Sequence, residues 1–453
     1  MKPDPNKPTW AFNILITALL TIILTACSNS DDSEEAPPGG DYVRVEGTQF
    51  ILGDEPYQFV GTNMWYAAYI GREKEDGGDR ERVIRELDFL RANGITNLRL
   101  LGASERSPLK DSMSPAISHK GVVENETILE GLDFFLSEMA KRDMKAVIFL
   151  NNFWEWSGGM STYLYWVNGG HFIDLNDPAT PWPAFALFGA GFYSNHAARD
   201  LFNRYITTVL NRRNSVTGKL YREDPTIMSW QLANEPRPGN GEISRPNLPA
   251  YFDWIKDTAA LIKSIAPHQL VSVGSEGTMG CIELEECFLG AHSDNDIDYA
   301  TFHMWIKNWS WFDIHNPGGT YDGAVERADD YISAHIGMAR RLDMPLVLEE
   351  FGVERDMGDV SPGSSVQYRD RFFGFVFDRI NQSVNDGGPL VGSNFWAWGG
   401  YGKAQHSDAR WRPGDITFVG DPPQEPQGLN SVFASDESTL KILSDHAKAI
   451  DSR

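Results

Sequence analysis

The chain has 453 residues, with 63 acidic against 40 basic side chains and a formal net charge of -23. So large an acidic excess argues against nucleic acid or an anionic membrane surface as a binding partner and suits a soluble domain acting on a neutral ligand. The length admits one large domain with a sizeable core or two or three small ones, and an aromatic content of 12 %, with 14 Trp, is high enough to suggest exposed ring platforms as well as core.

The amino terminus reads as a targeting segment. Lys2 and Lys7 flank the start of the chain, an apolar stretch at 11–24 is short for a membrane span, and Leu24-Thr25-Ala26-Cys27 sets small residues before a cysteine. The pattern resembles a bacterial lipoprotein signal, which implies removal of residues 1–26 and lipid on Cys27; an uncleaved anchor or an unrelated cysteine is the alternative. Residues 27–40, acidic and ending Pro37-Pro38-Gly39-Gly40, are expected to be a flexible tether that cannot bury a core. The expected location is therefore the bacterial cell envelope, lipid-anchored at the outer membrane, with the lipid as the membrane contact. Residues 41–453 are expected to fold as one domain.

At 41–59 the alternation of Tyr42-Val43-Arg44-Val45-Glu46 and the apolar Phe50-Ile51-Leu52, set around Gly47 and Gly53-Asp54, predict a hairpin that closes the floor of a barrel. Strand and helix patterns then alternate. Short apolar runs predict strands at 59–63, 96–101, 146–150, 227–233, 270–273, 299–303, 346–350 and 390–395. Between them, apolar residues recurring at three and four predict helices at 80–93, 126–142, 196–213, 248–265, 324–342 and 365–381, with a last one at 437–450. The helix due within 277–296 is poorly signalled. Eight such units behind one hairpin favour a single (β/α)8 barrel over an open doubly wound sheet, with no internal repeat.

Two connections are far longer than such units need. The one after the third strand, 151–195, is crowded with rings, among them Phe153, Trp154, Trp156, Tyr163, Trp166 and Trp182. Some should offer flat faces to a ligand and the others pack the loop against itself. The second, 397–430, follows the eighth strand and carries Trp398, Tyr401, His406 and Trp411 among Gly and Pro. Cys281 and Cys287, six apart in an exported protein, are expected to close a small disulfide loop, with two free thiols as the alternative.

Glu235, in Ala233-Asn234-Glu235-Pro236, and Glu350, in Leu348-Glu349-Glu350-Phe351-Gly352, each end an apolar strand run. Both should emerge at carboxyl ends of strands, where an α/β barrel keeps its chemistry. Two glutamates there suggest a retaining glycosidase; the alternative is a pair of buried structural carboxylates. There is no His-Glu-x-x-His and no phosphate-cradling loop, so no metal or other cofactor is expected, and Asp294, Asp296 and Asp298 read as a solvated turn.

Asn234-Glu235-Pro236, Glu350-Phe351-Gly352, His303 after the sixth strand, Arg99 in Asn97-Leu98-Arg99-Leu100-Leu101-Gly102 and Trp396 in Asn394-Phe395-Trp396 form one constellation. It resembles glycoside hydrolase family 5, and more closely its mannan-active branch, from Gly61-Thr62-Asn63-Met64-Trp65 to Trp396. Tyr163 with Trp166 after Gly158-Gly159, and Gly274-Ser275-Glu276-Gly277, belong to the likeness. The resemblance implies Glu235 as general acid/base and Glu350 as nucleophile, with Glu349, by strand alternation, on the opposite face. It implies Asn234 on the sugar 2-hydroxyl, Arg99 holding Glu350 ionised, His303 beside the acid/base, Trp396 under the subsite, and Trp65 and Trp166 among the substrate-binding rings. Trp305 stands where family members commonly carry Tyr, so its contact would be made by an indole N–H that donates but cannot accept. On this reading the charge of Glu350 raises the pKa of Glu235, and Arg99 lowers that of Glu350.

The implied substrate is β-mannan or manno-oligosaccharide. If the 397–430 loop is an ordered cap on the glycone side, the enzyme is an exo-acting β-mannosidase; an open groove would make it an endo-β-1,4-mannanase, and a β-1,4-glucanase is a further rival. A carbohydrate-binding protein without catalysis is the alternative of a different class.

Overall fold

The computed structural model describes residues 42–180 and 182–451, so the signal, Cys27 and the tether lie outside the described residues. Eight parallel strands form the central sheet: β1 (Phe59–Asn63), β2 (Ile95–Leu101), β3 (Lys145–Phe149), β4 (Ile227–Gln231), β5 (Leu270–Ser272), β6 (Ala300–Met304), β7 (Leu346–Phe351) and β8 (Leu390–Phe395). Their side chains are buried on both faces almost throughout, which is why the sequence shows unbroken apolar runs. Neighbours pair in chain order from β1 to β5 and from β6 to β8, and β8 returns to pair with β1. The sheet is a nearly closed (β/α)8 barrel whose seam falls between β5 and β6. Single hydrogen bonds cross it, from Asp298 N–H to Val271 O (2.9 Å) and from His303 N–H to Glu276 O (3.3 Å).

The amino-terminal hairpin, Val43–Glu46 with Gln49–Leu52, gains a third short strand at Glu55–Pro56. Val43 and Phe50 pack against Phe59, Val147, Met228, Leu270, Tyr299, Val347 and Val391, residues at the start of the barrel strands. This apolar layer closes the floor and leaves the opposite, carboxyl-terminal mouth for chemistry.

The outer helices fall where their stripes place them: Arg80–Ala92, Glu126–Ala140, His196–Leu210, Leu248–Ile265, Gln367–Asn385 and Glu437–Asp451. The helix expected from 324 begins earlier, as Pro317–Leu342, because Pro317 occupies the first turn and Gly318, Gly319 and Gly323 interrupt the apolar stripe there. The weakly signalled fifth helix is the short Glu285–Ala291. The long connection after β3 also carries two helices, Gly159–Val167 and Trp182–Gly189, both strongly apolar and therefore without a readable stripe. Among the described residues no helix is long and apolar enough to cross a membrane.

Candidate active site

Arg99, on β2, is fully buried in the barrel and its guanidinium reaches four acceptors. Its NH1 donates to Glu350 Oε1 (2.6 Å) and Asn63 Oδ1 (3.1 Å), its NH2 to Asn234 Oδ1 (2.8 Å) and its Nε to Gln231 Oε1 (2.8 Å). One cation thus fixes the nucleophile candidate and the residue before the acid candidate together. Asn234 spends one amide hydrogen on Asn152 Oδ1 (3.2 Å) and has a second, since a carboxamide carries two.

Glu235 follows β4 at a sharp bend. Its backbone adopts φ +50°, a left-handed conformation costing a non-glycine residue about 1 kcal/mol, and its N–H donates to Gly274 O (2.9 Å). His303 Nδ1 lies 2.6 Å from Glu235 Oε1 and 3.4 Å from Glu350 Oε2. His303 Nε2 is buried with no hydrogen-bond partner among the described residues, so the ring carries its proton on Nδ1 and donates to Glu235. Trp154 Nε1 also donates to Glu235, while Trp305 Nε1 donates to Glu350 Oε2 (3.3 Å).

Oxygens of Glu235 and Glu350 and a nitrogen of His303 all lie within 4.8 Å of one another. Among the described residues this is the one group close enough to bind a metal ion, but its atoms are already engaged with one another and with Arg99, Trp154 and Trp305. Both acids open into a cavity of about 600 Å³. Its walls include Trp154, Trp182, Arg237, Trp305, Trp309 and Trp396, and Pro422, Gln424 and Glu425 from the loop after β8.

The charge distribution departs from the sequence expectation. Burial, and then the neighbouring Glu235 charge, push Glu350 well above the ordinary carboxylate range despite Arg99. Burial also penalises the Glu235 carboxylate, but the hydrogen bond from His303, the charge of Arg237 and the Trp154 hydrogen bond outweigh it and hold Glu235 low. The sequence expected the reverse, because it counted Arg99 but not the donors converging on Glu235. With oxygens within 4.8 Å of each other the two acids repel too strongly to ionise independently, and the pair keeps one proton above the range of a free carboxylic acid. Burial takes His303 down to about 4, so it is neutral at physiological pH.

Glu349 corrects another expectation. Strict alternation would turn it away from Glu350, yet Gln231 Nε2 donates to Glu349 Oε2 (2.6 Å) and Arg99 Nε lies 3.8 Å from it, inside the barrel. A bulge explains this. The β6–β7 register jumps from Phe302 opposite Leu348 to His303 opposite Glu350, which leaves Glu349 unopposed and lets consecutive side chains face inward. Burial raises Glu349 to about 6.

Trp305 and Trp396 stand together on the wall, edge to face at 6.1 Å between ring centres. Trp65 and Trp166, expected to bind substrate, do not line the cavity. Trp65 is buried against Trp156 and spends its N–H on Gly420 O (2.8 Å), while Trp166 packs on Tyr163 and His119. Their rings support the long loops. The sequence also missed Trp154 and Arg237. Arg237, two residues after Glu235, lies 5.3 Å from the ring centres of Trp154 and Trp182 and is ion-paired to Glu276, which burial raises to about 8. A cation that close to an acid in the chain was the available signal. Trp309 donates to Glu276 Oε1 (3.2 Å) on the same wall, whereas Trp311 packs on Trp309 and Tyr331. Asp298, expected in a solvated turn, is instead partly buried and paired with Lys263 (2.6 Å).

Cys281 and Cys287 are joined, with Cα atoms 5.5 Å apart, in a segment whose Met279, Ile282 and Glu283 line the cavity. Closing so short a loop is worth about 2 kcal/mol in the chain-entropy account. The double Cys→Ser variant should therefore show a lower denaturant midpoint, and an unchanged midpoint would contradict a stabilising bridge.

A family model described as GH family 5 beta-mannosidase-like matches residues 40–453. The fold and sequence are similar to a glycoside hydrolase family 5 mannosidase from Rhizomucor miehei, at 33 % identity and a TM-score of 0.82, over 91 % of this chain and 98 % of that one. Mannan endo-1,4-beta-mannosidase 1 of Arabidopsis thaliana is 30 % identical over 369 residues, covering 78 % of this chain and 81 % of its own length. An endo-1,4-beta-mannanase from Rhizomucor miehei shares the fold at 24 % identity and a TM-score of 0.65, over 91 % of this chain and 100 % of that one.

Proposed function

The chain belongs to glycoside hydrolase family 5 and is a hydrolytic enzyme of its mannosidase and mannanase branch; on that premise we propose that it cleaves β-1,4-mannosidic bonds from chain ends, with retention of configuration. The observation carrying this reading is the approach of Glu235 and Glu350 oxygens to within 4.8 Å across one cavity. Retaining pairs lie about 5 to 5.5 Å apart, whereas inverting pairs stand about 6.5 to 9.5 Å apart to admit a water.

In the first step a Glu350 oxygen attacks the anomeric carbon, the glycosidic bond breaks, and the departing oxygen takes the proton of Glu235. In the second, water attacks the same carbon, Glu235 removes its proton, and the Glu350 ester bond breaks. Arg99 and Trp305 steady the Glu350 carboxylate as it leaves. Asn234, with its remaining amide hydrogen, is the donor for the sugar 2-hydroxyl, and Trp396 supplies the ring beneath. Productive binding requires the shared proton on Glu235. His303 donates to Glu235 and so stabilises its carboxylate, which leaves Glu235 less often protonated in the empty site but makes it the stronger acid once it holds the proton, and the weaker base in the second step.

The exo preference rests on the loop after β8, whose Pro422, Gln424 and Glu425 wall the cavity beside Trp396. The relative from Rhizomucor miehei has been crystallised with mannosyl-fructose, a short ligand with one mannosyl unit. Digestion of mannohexaose should release mannose as the only early product. An early ladder of di- and trisaccharides would favour the endo-mannanase alternative, and cellobiose turned over as fast as mannobiose would favour a glucanase.

Only the singly protonated pair is active, so kcat/KM should be bell-shaped in pH. Activity falls at low pH as the second carboxylate is protonated and at high pH as the shared proton leaves. Because burial and mutual repulsion raise that last proton, the alkaline limb should lie well above the ordinary carboxylate range. A limb near that of a free carboxylic acid would contradict the coupling.

Attachment to the bacterial envelope through lipid on Cys27 is part of the same proposal and rests on Leu24-Thr25-Ala26-Cys27 alone. Cys27→Ala should free the enzyme from the membrane fraction; retention there would contradict it.

A further inference from the structure

The wall that Pro422, Gln424 and Glu425 present is the tip of a loop that is stitched first to itself and then to the strand carrying Glu350. Asp421 is buried and its carboxylate accepts the N–H groups of Gly428 (2.8 Å) and Asn430 (2.7 Å) and the hydroxyl of Ser431. The Gln427 amide donates to the carbonyls of Asp421 and Pro422, both at 3.0 Å, and Glu425 at 3.2 Å. Asn430 Nδ2 donates to Glu425 Oε2 (3.2 Å). These bonds make the tip a compact unit but do not locate it over the cavity.

Location comes from two buried arginines. Arg369, in the first turn of the helix Gln367–Asn385, is fully buried and fans its guanidinium over three carbonyls on two segments. Nε donates to Val353 O (3.0 Å), three residues beyond Glu350, while NH1 donates to Ser431 O (3.0 Å) and NH2 to Leu429 O (3.1 Å) at the base of the tip. Arg355 holds Asp436 through NH2, 2.6 Å from each carboxylate oxygen, and its backbone N–H donates to Leu429 O (3.1 Å). Asp436 in turn accepts the Phe433 N–H (2.9 Å) and lies 3.5 Å from Arg369 NH1. None of Arg355, Arg369 and Asp436 lines the cavity. A guanidinium taken fully out of water and given mainly carbonyl partners is an expensive fixture for a surface loop.

We propose that Arg369, seconded by the Arg355–Asp436 pair, is a specificity-positioning residue that clamps the loop after β8 to the exit of β7 and so sets how far the cavity is closed beyond the reacting sugar. This rests on the chain-end reading above. Because one guanidinium bonds both Val353 and the base of the tip, Arg369 ties the exit of β7 directly to the wall, beside the second tie made by the Arg355 N–H to Leu429 O. Lys in its place has one ammonium and cannot span the same fan. Loosening the clamp opens the wall and leaves the acids untouched.

The test compares wild type, Arg369→Gln and Arg369→Lys on mannohexaose and on an aryl β-mannoside, with circular dichroism as the folding control. Arg369→Gln is expected to raise the early ratio of oligosaccharide to mannose at least about tenfold and KM for the aryl mannoside about tenfold, with kcat within about threefold, since binding geometry and not the acids is disturbed. Arg369→Lys should fall between Gln and wild type. A folded variant with the wild-type product pattern and KM, or a loss of kcat at constant KM, would overturn the clamp. Failure of both variants to fold would also overturn it, by making Arg369 a folding element alone. A ladder of oligosaccharides from the wild type is a different result, and it would sink the chain-end reading before the clamp is reached.

Discussion

Glu350→Gln lowers kcat on an aryl β-mannoside by at least about 10⁴-fold, the scale expected when an attacking group is removed from a double-displacement site. Gln fills the same volume and still offers Arg99 an oxygen acceptor, so the buried guanidinium that now lies 2.6 Å from Glu350 is not left without a partner. The variant should therefore fold and bind manno-oligosaccharide in calorimetry with an affinity close to that of the wild type. A drop of less than about tenfold would remove Glu350 from the nucleophile's role. Loss of binding together with turnover would mean that the substitution had disturbed the pocket and not the bond-forming step.

The second large effect belongs to Glu235. For Glu235→Ala we expect a loss of about 10² to 10⁴-fold on mannobiose, the range that general acid catalysis supplies. The loss in the first step should shrink for a dinitrophenyl mannoside, whose leaving group needs no proton. Water then attacks the glycosyl-enzyme without a base, so that intermediate accumulates. Added azide, needing no deprotonation, should attack the anomeric carbon, displace the Glu350 carboxylate and restore turnover as β-mannosyl azide. The alkaline limb of the pH profile should vanish with the acid. If leaving-group ability makes no difference and azide gives no product, Glu235 is not the acid/base.

Much of this was legible in the chain because a parallel barrel writes its strands as short, unbroken apolar runs. All eight fall within two residues of the expected bounds, and the positions of Arg99, Asn234, Glu235, His303 and Glu350 at or near strand ends follow from them. What stayed hidden has physical causes. The bulge that turns Glu349 inward depends on register between β6 and β7, which no single-strand pattern encodes. The donors on Glu235 come from different units: His303 stands at its own strand end, but Trp154 sits in a loop crowded with equivalent rings, and only geometry separates the one that reaches the acid from Trp166, which does not. The same holds for Trp65, whose indole was read as a sugar platform and serves as a strut under Gly420. Helices inside the long connection were invisible because they are apolar nearly throughout and carry no amphipathic stripe.

The clamp at Arg369 illustrates a similar limit. Nothing in Gln367-Tyr368-Arg369-Asp370 distinguishes a buried guanidinium from an exposed one, since the carbonyls it binds lie 16 to 62 residues away. Specificity in this barrel is carried by backbone acceptors on loops, whereas the reacting acids are carried by strand ends.

The central claim is a direct attack by one of two closely placed carboxylates on the sugar, and proton NMR of the first-formed product tests it most directly. Hydrolysis of an aryl β-mannoside, followed within the first minutes before mutarotation, should show β-mannose appearing first and the α-anomer growing in only as the sugar equilibrates. The α-anomer as the initial product would mean a single displacement by water and would contradict the account.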